Sequence, residues 1–390
     1  MRRLAQVVRG RPVAAAAVLT IAVWGCGPRT PDVMRPVLAR AEFHVDVAKA
    51  GEGSPYYRIP ALAVTNRGTV LAAYDARPTL ADLPSNIAVV LRRSLDDGRT
   101  WEAPIVVRRD TAPFGFGDPS LVVDRETRRI FLFYAASARQ GIFGSHTGND
   151  ERDPDIHQAD VSYSDDDGLT WKHRRITAAI KKPEWVSLFA SSGAGIQLRH
   201  GTRAGRLVQQ YAVRVGATFY AASVMSDDHG ATWRMGGLVG PGADENKVVE
   251  LADGRLMLNS RAKPYRKIAW SGDGGETWSG WRDEPQLIDP ANNGAIIRYD
   301  DAARDARSRW LLFINTEHPT QRRNLVLKLS CDNGTSWPVG AVVDSGPAAY
   351  ATMARLKDGA LGVLYERGPY STMRFVHMPT DELRCPLPRR

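Results

Sequence analysis

The stretch Ser94–Trp101, SLDDGRTW, decides the fold because it does not stand alone. It returns as SDDDGLTW from Ser164, SDDHGATW from Ser226, SGDGGETW from Ser271 and SCDNGTSW from Ser330. Every copy reads Ser-x-Asp-x-Gly-x-(Thr/Ser)-Trp, a pattern that suits a β-hairpin turn. The Asp hydrogen-bonds the turn backbone, the Gly supplies a positive φ, and the Trp packs over the loop. A calcium loop is the alternative suggested by Asp165, Asp166, Asp167 and Gly168, but the alternating ligands and terminal glutamate of an EF-hand are missing.

Successive copies start 70, 62, 45 and 59 residues apart. Between them the chain runs as short apolar strands with turn signals (RRIFLFYAAS, GRLVQQYAV, RWLLFINT) and no long amphipathic helix. Repetition at this period, over a region from about Glu42 to Cys385, predicts an all-β, six-bladed β-propeller of four-stranded antiparallel blades. One blade lacks the octapeptide.

A second repeat carries the polar residues. It comprises RIPALAVTNRGTVLAAYDAR from Arg58, ENKVVELADGRLMLNSR from Glu245 and YATMARLKDGALGVLYE from Tyr350. Each is a strand, a turn ending in glycine (Gly68, Gly254, Gly359) and a second strand. Arg58, Glu245 and Tyr350 lie ten, nine and nine positions before that glycine; Asp75, Arg261 and Glu366 lie seven after it. Both offsets fall at the end of the hairpin remote from the turn, roughly 20–25 Å away at about 3.3 Å per residue. Polar residues of three blades are therefore expected on one face, around the axial depression.

Composition agrees with an all-β chain. The 390 residues include 35 glycines and 24 prolines, and 43% are hydrophobic. The formal charge is +9, four of the positives being Arg2, Arg3, Arg9 and Arg11; there is no basic helix or arginine-rich tract, so a nucleic-acid partner is not expected. That basic stretch, the apolar run Val13–Trp24 and then Gly25 and Cys26 read as an export signal. Cys26 is a candidate lipid anchor; cleavage of an ordinary secretory signal is the alternative. The expected organisation is a signal at 1–26, a linker at 27–41, the propeller at 42–385 and a tail at 386–390, in a monomeric, exported protein. Cys331 and Cys385 are then one available pair in an oxidising compartment. His146, His157, His200, His229 and His318 show no metal-ligand spacing, and no metal or other cofactor is expected.

Arg-Ile-Pro at 58–60, the five octapeptides, and the late Tyr350 and Glu366 together closely resemble the bacterial and animal exo-α-sialidases. The resemblance implies hydrolysis of terminal sialic acid from glycoproteins, glycolipids or oligosaccharides, with retention and a tyrosine nucleophile. It implies Arg58, Arg261 and Arg322 as the triad that binds the substrate carboxylate, Arg323 being the neighbour that competes with Arg322. A planar guanidinium fork suits that task. Glu366 would orient Arg58. Tyr350 would be the nucleophile and Glu245 its base, since a neutral phenol avoids the repulsion that a carboxylate nucleophile would meet. Asp82 would be the acid/base, with Asp75 as the competitor nearer Arg58. Asp118 would contact the amide or hydroxyl groups of the sugar, and Arg77 would flank the same pocket. A non-catalytic sugar-binding propeller, a hydrolase of neutral polysaccharides, and a sialic acid transferase or an enzyme for deaminated sialic acid are the alternatives.

Overall fold

The computed structural model describes residues 37–300, 303–381 and 383–385. The expected signal through Cys26, the first part of the expected linker and the tail at 386–390 lie outside the described residues. Strand pairing begins at Val37, inside the expected linker, where Val37–Leu38 runs parallel to Ala341 and Val342.

The chain is all-β, with one four-residue α-helix, Thr177–Ile180, and two short 3-10 turns among the described residues. Strands Tyr56–Val64, Val70–Arg77, Ala88–Ser94 and Ile105–Arg108 form the first antiparallel sheet. Gly115–Val123, Ile130–Ser137, Gln158–Ser164 and Lys172–Arg175 form the second, joined on its inner edge by Gly193–Ala194. Ser187–Ala190, Leu207–Val215, Thr218–Ser226 and Arg234–Met235 make the third, and Asn246–Glu250, Leu256–Ser260, Tyr265–Ser271 and Ser279–Ile288 the fourth. The last sheet is eight-stranded because Val339–Arg355 serves twice. Its first half pairs with Arg323–Ser330 and its second half with Leu361–Arg367. The chain's early strand Phe43–Lys49 completes the far edge by pairing with Thr372–Met378.

Apolar residues alternate between two buried faces, which is how a sheet packed on both sides reads. In Val70–Arg77, Val70, Ala72, Tyr74 and Ala76 pack with Leu364 and Phe375 of the last sheet, while Leu71 and Ala73 pack with Leu121 and Leu132 of the second. The second sheet then packs on the third through Phe131, Phe133, Tyr211 and Trp233. The third meets the fourth through Val208, Met225 and Val248, and the fourth meets the next strands through Met257, Ile268, Leu311 and Phe313. First strands touch in turn, Tyr56–Val64 contacting both Gly115–Val123 and Val339–Arg355.

Each octapeptide sits on the hairpin between third and fourth strands. In the first, Gly98 N–H donates to Ser94 Oγ at 2.8 Å, Ser94 Oγ donates to Asp96 Oδ1 at 2.8 Å, and Thr100 N–H donates to the same Oδ1 at 2.9 Å. The other four repeat this pattern. The glycine has a positive φ, and so does the variable residue before it: Asp97, Asp167, His229, Gly274 and Asn333. Two consecutive left-handed residues tighten the turn. A Cβ at Gly98 would stand 2.1 Å from Phe375 of the last sheet, and one at Gly230 2.1 Å from Phe131 of the second. The boxes thus also clasp each sheet to the one before it. No box joins Thr372–Met378 to Phe43–Lys49, because those strands come from opposite ends of the chain and no hairpin connects them. Cys331, in the fifth box, is bonded to Cys385 with Cα atoms 6.0 Å apart.

Candidate active site

Three of the first strands are bulged at the same end. The register slips between Arg58 and Ala61, between Gly117 and Ser120, and between Ala348 and Ala351. Ile59 and Asp118, each followed by proline, take φ values of 60° and 62°. A β-branched residue pays for that conformation, so something must hold it there. For Ile59 the holder is Glu366, whose Oε1 accepts its N–H at 2.8 Å. The same carboxylate accepts Arg58 Nε at 3.1 Å and Tyr350 N–H at 3.1 Å, and it is fully buried. For Asp118 the holder is Asp75, whose Oδ1 accepts the Asp118 N–H at 3.1 Å. Two of the three residues seven after the turn glycine, Asp75 and Glu366, therefore buttress bulges in the strands that carry the site.

The bulges line a cavity of about 780 Å³ whose walls include Arg58, Asp82, Asp118, Glu245, Arg261, Arg322 and Tyr350. Tyr350 Oη donates to Glu245 Oε2 at 2.5 Å, and Arg261 Nη1 donates to both, at 2.6 Å to the carboxylate and 2.5 Å to the phenol. The guanidinium carbons of Arg58, Arg261 and Arg322 lie 5.4, 5.8 and 5.1 Å from the centre of the Tyr350 ring. Burial, then the Glu245 charge, push the Tyr350 phenol well above its ordinary value of 10, against the pull of Arg261 and Arg322. Burial opposes the charge on Glu245, but Arg261, Lys247 and the hydrogen bonds from Tyr350 and Arg261 hold it below the usual carboxylate range. The pair rests as neutral phenol and carboxylate, the state from which a phenol passes on its proton.

Arg322, not the exposed Arg323, faces the cavity. It donates to Ala291 O at 3.1 Å and to Tyr370 Oη at 3.3 Å, and Arg58 lies 4.3 Å over the Tyr370 ring. Tyr370, which no repeat marks, thus spans two of the three arginines. Asp82 lines the cavity and Asp75 does not; Asp75 is fully buried, and burial raises its carboxyl to about 6 despite Arg77. Asp118 is likewise pushed well above the carboxylate range, by burial first and then by Asp75. Arg77, expected to flank the pocket, is not part of its lining and touches the wall residue Asp82. Asp75 Oδ2 fixes its Nε and Nη2 at 3.0 and 2.7 Å, and only Nη1 reaches forward, to Asp82. Ile142, Phe143 and Phe219 give one rim an apolar character, with Phe143 75% exposed. Among the described residues there is no cluster of His, Cys, Asp and Glu that could hold a metal.

The family model described as BNR repeat-like domain matches residues 68–363. A sialidase of Micromonospora viridifaciens is 48% identical over 368 residues, which are 91% of this chain and 57% of that protein. A sialidase of Bacteroides fragilis is 30% identical over 342 residues, 83% of this chain and 62% of that protein. The chain thus spans about three fifths of the length of these relatives. Among solved structures, a Hadza microbial sialidase superposes with a TM-score of 0.79 at 29% identity, over 86% of this chain and 68% of the other. An intramolecular trans-sialidase from Ruminococcus gnavus has the same fold, with a TM-score of 0.76 at 21% identity. The chain belongs to the BNR-repeat family of the bacterial sialidases.

Proposed function

We propose that the chain is a retaining exo-α-sialidase that releases terminal sialic acid from glycoconjugates. The observation that carries this reading is the Tyr350–Glu245 hydrogen bond inside a ring of three guanidiniums. A sugar that binds there needs an acidic group to use the arginines, and the nucleophile beneath it must not repel that acid. A neutral phenol meets both demands. Tyr350 Oη attacks the anomeric carbon as Glu245 takes its proton, while Asp82 protonates the departing oxygen. Water, deprotonated by Asp82, then opens the tyrosyl–sugar bond, and Glu245 returns the proton to Tyr350.

A six-bladed propeller is part of the same proposal, supported by the double use of Val339–Arg355, at which the eight-stranded sheet divides into two sets of four strands once the short Val37–Leu38 strand is set aside. Export is part of the same proposal; the Cys331–Cys385 bond supports it, since such bonds persist in oxidising compartments.

The test is release of free sialic acid from sialyllactose and from nitrophenyl sialoside. Tyr350→Phe and Glu245→Gln should impair both reactions, and a fluorinated sialoside should label Tyr350 in the wild type. A substrate methyl ester should be nearly inert. Equal hydrolysis of ester and acid, or a label on another residue, would overturn the assignment.

A further inference from the structure

The base of the proposed nucleophile has a second oxygen, and what holds that oxygen leads away from the cavity. Ser192 Oγ donates to Glu245 Oε1 at 3.0 Å. Asn293 Nδ2 donates to Ser192 Oγ at 2.8 Å and to Ser192 O at 3.0 Å. Lys247 Nζ donates to Asn293 Oδ1 at 3.0 Å. Four side chains from three segments therefore form one chain that ends on a buried ammonium. Lys247 is two residues after Glu245, so both side chains leave the same face of strand Asn246–Glu250 and its flank.

The space is shaped for the lysine. A Cβ at Gly193 would stand 3.1 Å from Lys247 Cε and 3.5 Å from Thr352 Oγ1, so glycine is what admits the stem. Thr352 Oγ1, two residues after Tyr350, is buried there with no hydrogen-bond partner among the described residues. The charged groups that bear on the ammonium are Glu245, just before its own strand, and Arg266, from strand Tyr265–Ser271. Arg266 is itself paired with Asp289 at 2.8 Å. The elements packed from the other sides present the neutral Ser192, Gly193, Asn293 and Thr352. Burial, against the attraction of Glu245, brings the Lys247 ammonium down to about 7.

A buried lysine is costly, and an apolar residue would fill the space more cheaply. We propose that Lys247 is a positioning residue for the reaction: through Asn293 and Ser192 it fixes Glu245, and its charge keeps that carboxylate ready for the Tyr350 proton. The inference rests on the reading of Glu245 as the base of Tyr350. Asn293 and Ser192 orient Oε1, which leaves Oε2 directed at the phenol. The positive charge below the pair favours the ionised carboxylate in the resting enzyme. The acid side of the activity profile therefore belongs in part to Lys247.

The experiment is the pH dependence of kcat/KM on nitrophenyl sialoside for wild type, Lys247→Met, Ser192→Ala and Tyr350→Phe, each checked for folding by thermal unfolding. Removing the cation should raise the Glu245 carboxyl, so the acid limb of Lys247→Met should move to higher pH by about one unit. Ser192→Ala should shift it the same way by less. A merely structural loss would lower kcat/KM equally at every pH and leave the limb in place; that result overturns the proposal. If Lys247→Met does not fold, Ser192→Ala decides alone, and a limb coincident with the wild type overturns the proposal. Wild-type rates in Tyr350→Phe would instead sink the reading beneath it, and they appear in a different protein.

Discussion

Arg77 Nη1 donates to Asp82 Oδ1 at 2.7 Å, joining a side chain that is 1% exposed to one that is 77% exposed. The most open of the proposed catalytic groups is thus tied to one of the most rigid cations. Arg77 cannot follow Asp82 outward, because Asp75 holds its other two nitrogens. To act as an acid, Asp82 must carry a proton and turn from Arg77 toward the departing oxygen.

Asp82→Asn therefore separates the acid from the nucleophile. Lactose needs a proton as it leaves and nitrophenolate hardly does. The variant should lose roughly 10²–10⁴-fold in kcat/KM on sialyllactose and far less on nitrophenyl sialoside. Steady-state kinetics on both substrates checks this. Equal losses would remove Asp82 from the acid's role.

The loop that carries Asp82 should be sensitive to two glycines that never touch substrate. A Cβ at Gly141 would stand 1.9 Å from Leu83 O, and one at Gly115 1.8 Å from Ser85 O. Backbone cannot yield as a side-chain tip can, so Gly141→Ala must lift the loop. Misplacement by about an ångström costs on the order of 10²-fold in rate. That loss should again fall on sialyllactose more than on the aryl substrate, with thermal stability changed little beside it. A variant that treats both substrates as the wild type does would show the loop position to be unimportant.

The strand–glycine–strand repeat placed Arg58, Glu245, Arg261, Tyr350 and Glu366 at one end of their hairpins, and the structure brings the first four together around one cavity with Glu366 buried against Arg58. Periodicity sufficed there because each residue lies at or next to the end of a hairpin strand, which the count from the turn glycine fixes even where the strand is bulged. It failed for Asp75, which shares the offset of Glu366 and looked like a rival acid. Its carboxylate instead holds a bulge in the neighbouring sheet, and pairing between sheets leaves no mark in a single strand's pattern. Tyr370, Ser192 and Asn293 were equally invisible, since they sit on turns and strand flanks that do not repeat. The positive φ before each box glycine could have been read from the Asp, Asn, Gly or His found there. Arg77 entered through the resemblance alone, and the strand pattern gives no sign that Asp75, two positions earlier, holds two of its nitrogens.

Glu366 accepts hydrogen bonds from Arg58, Ile59 N–H and Tyr350 N–H with no solvent to replace them. Glu366→Gln turns one acceptor into a donor and leaves the Arg58 charge unpaired in a buried site. Breaking such a pair costs about 3–5 kcal/mol. Urea unfolding should show a loss of that order, and KM for the acidic substrate should rise as Arg58 and Tyr350 lose their common support. Wild-type stability together with wild-type KM would mean that the bulge holds itself.

His157 offers a test in stability alone. It is 2% exposed, its Nδ1 has no hydrogen-bond partner among the described residues, and its backbone N–H donates to Ser145 Oγ at 3.0 Å. Burial lowers the imidazole from 6.5 to about 4, with Lys181 nearby adding to the effect and a backbone hydrogen bond with Gln140 opposing it. The folded pKa is depressed, so the unfolded chain binds the proton first. The stabilisation is fully present above about pH 6.5, declines as pH falls, and is gone once pH passes below about 4. At 1.36 kcal/mol per unit the change amounts to about 3 kcal/mol. Asp75 and Asp118, raised by burial, contribute the opposite slope on the acid side, so the wild type alone would not isolate the imidazole. The measurement is the difference in unfolding free energy between wild type and His157→Leu, taken by urea denaturation from pH 7.5 to 4. Both proteins share the carboxylates, and only one has the imidazole. The wild type should lose about 3 kcal/mol relative to the variant across that range; a difference independent of pH would show that His157 accepts its proton in the folded protein as readily as in the unfolded chain.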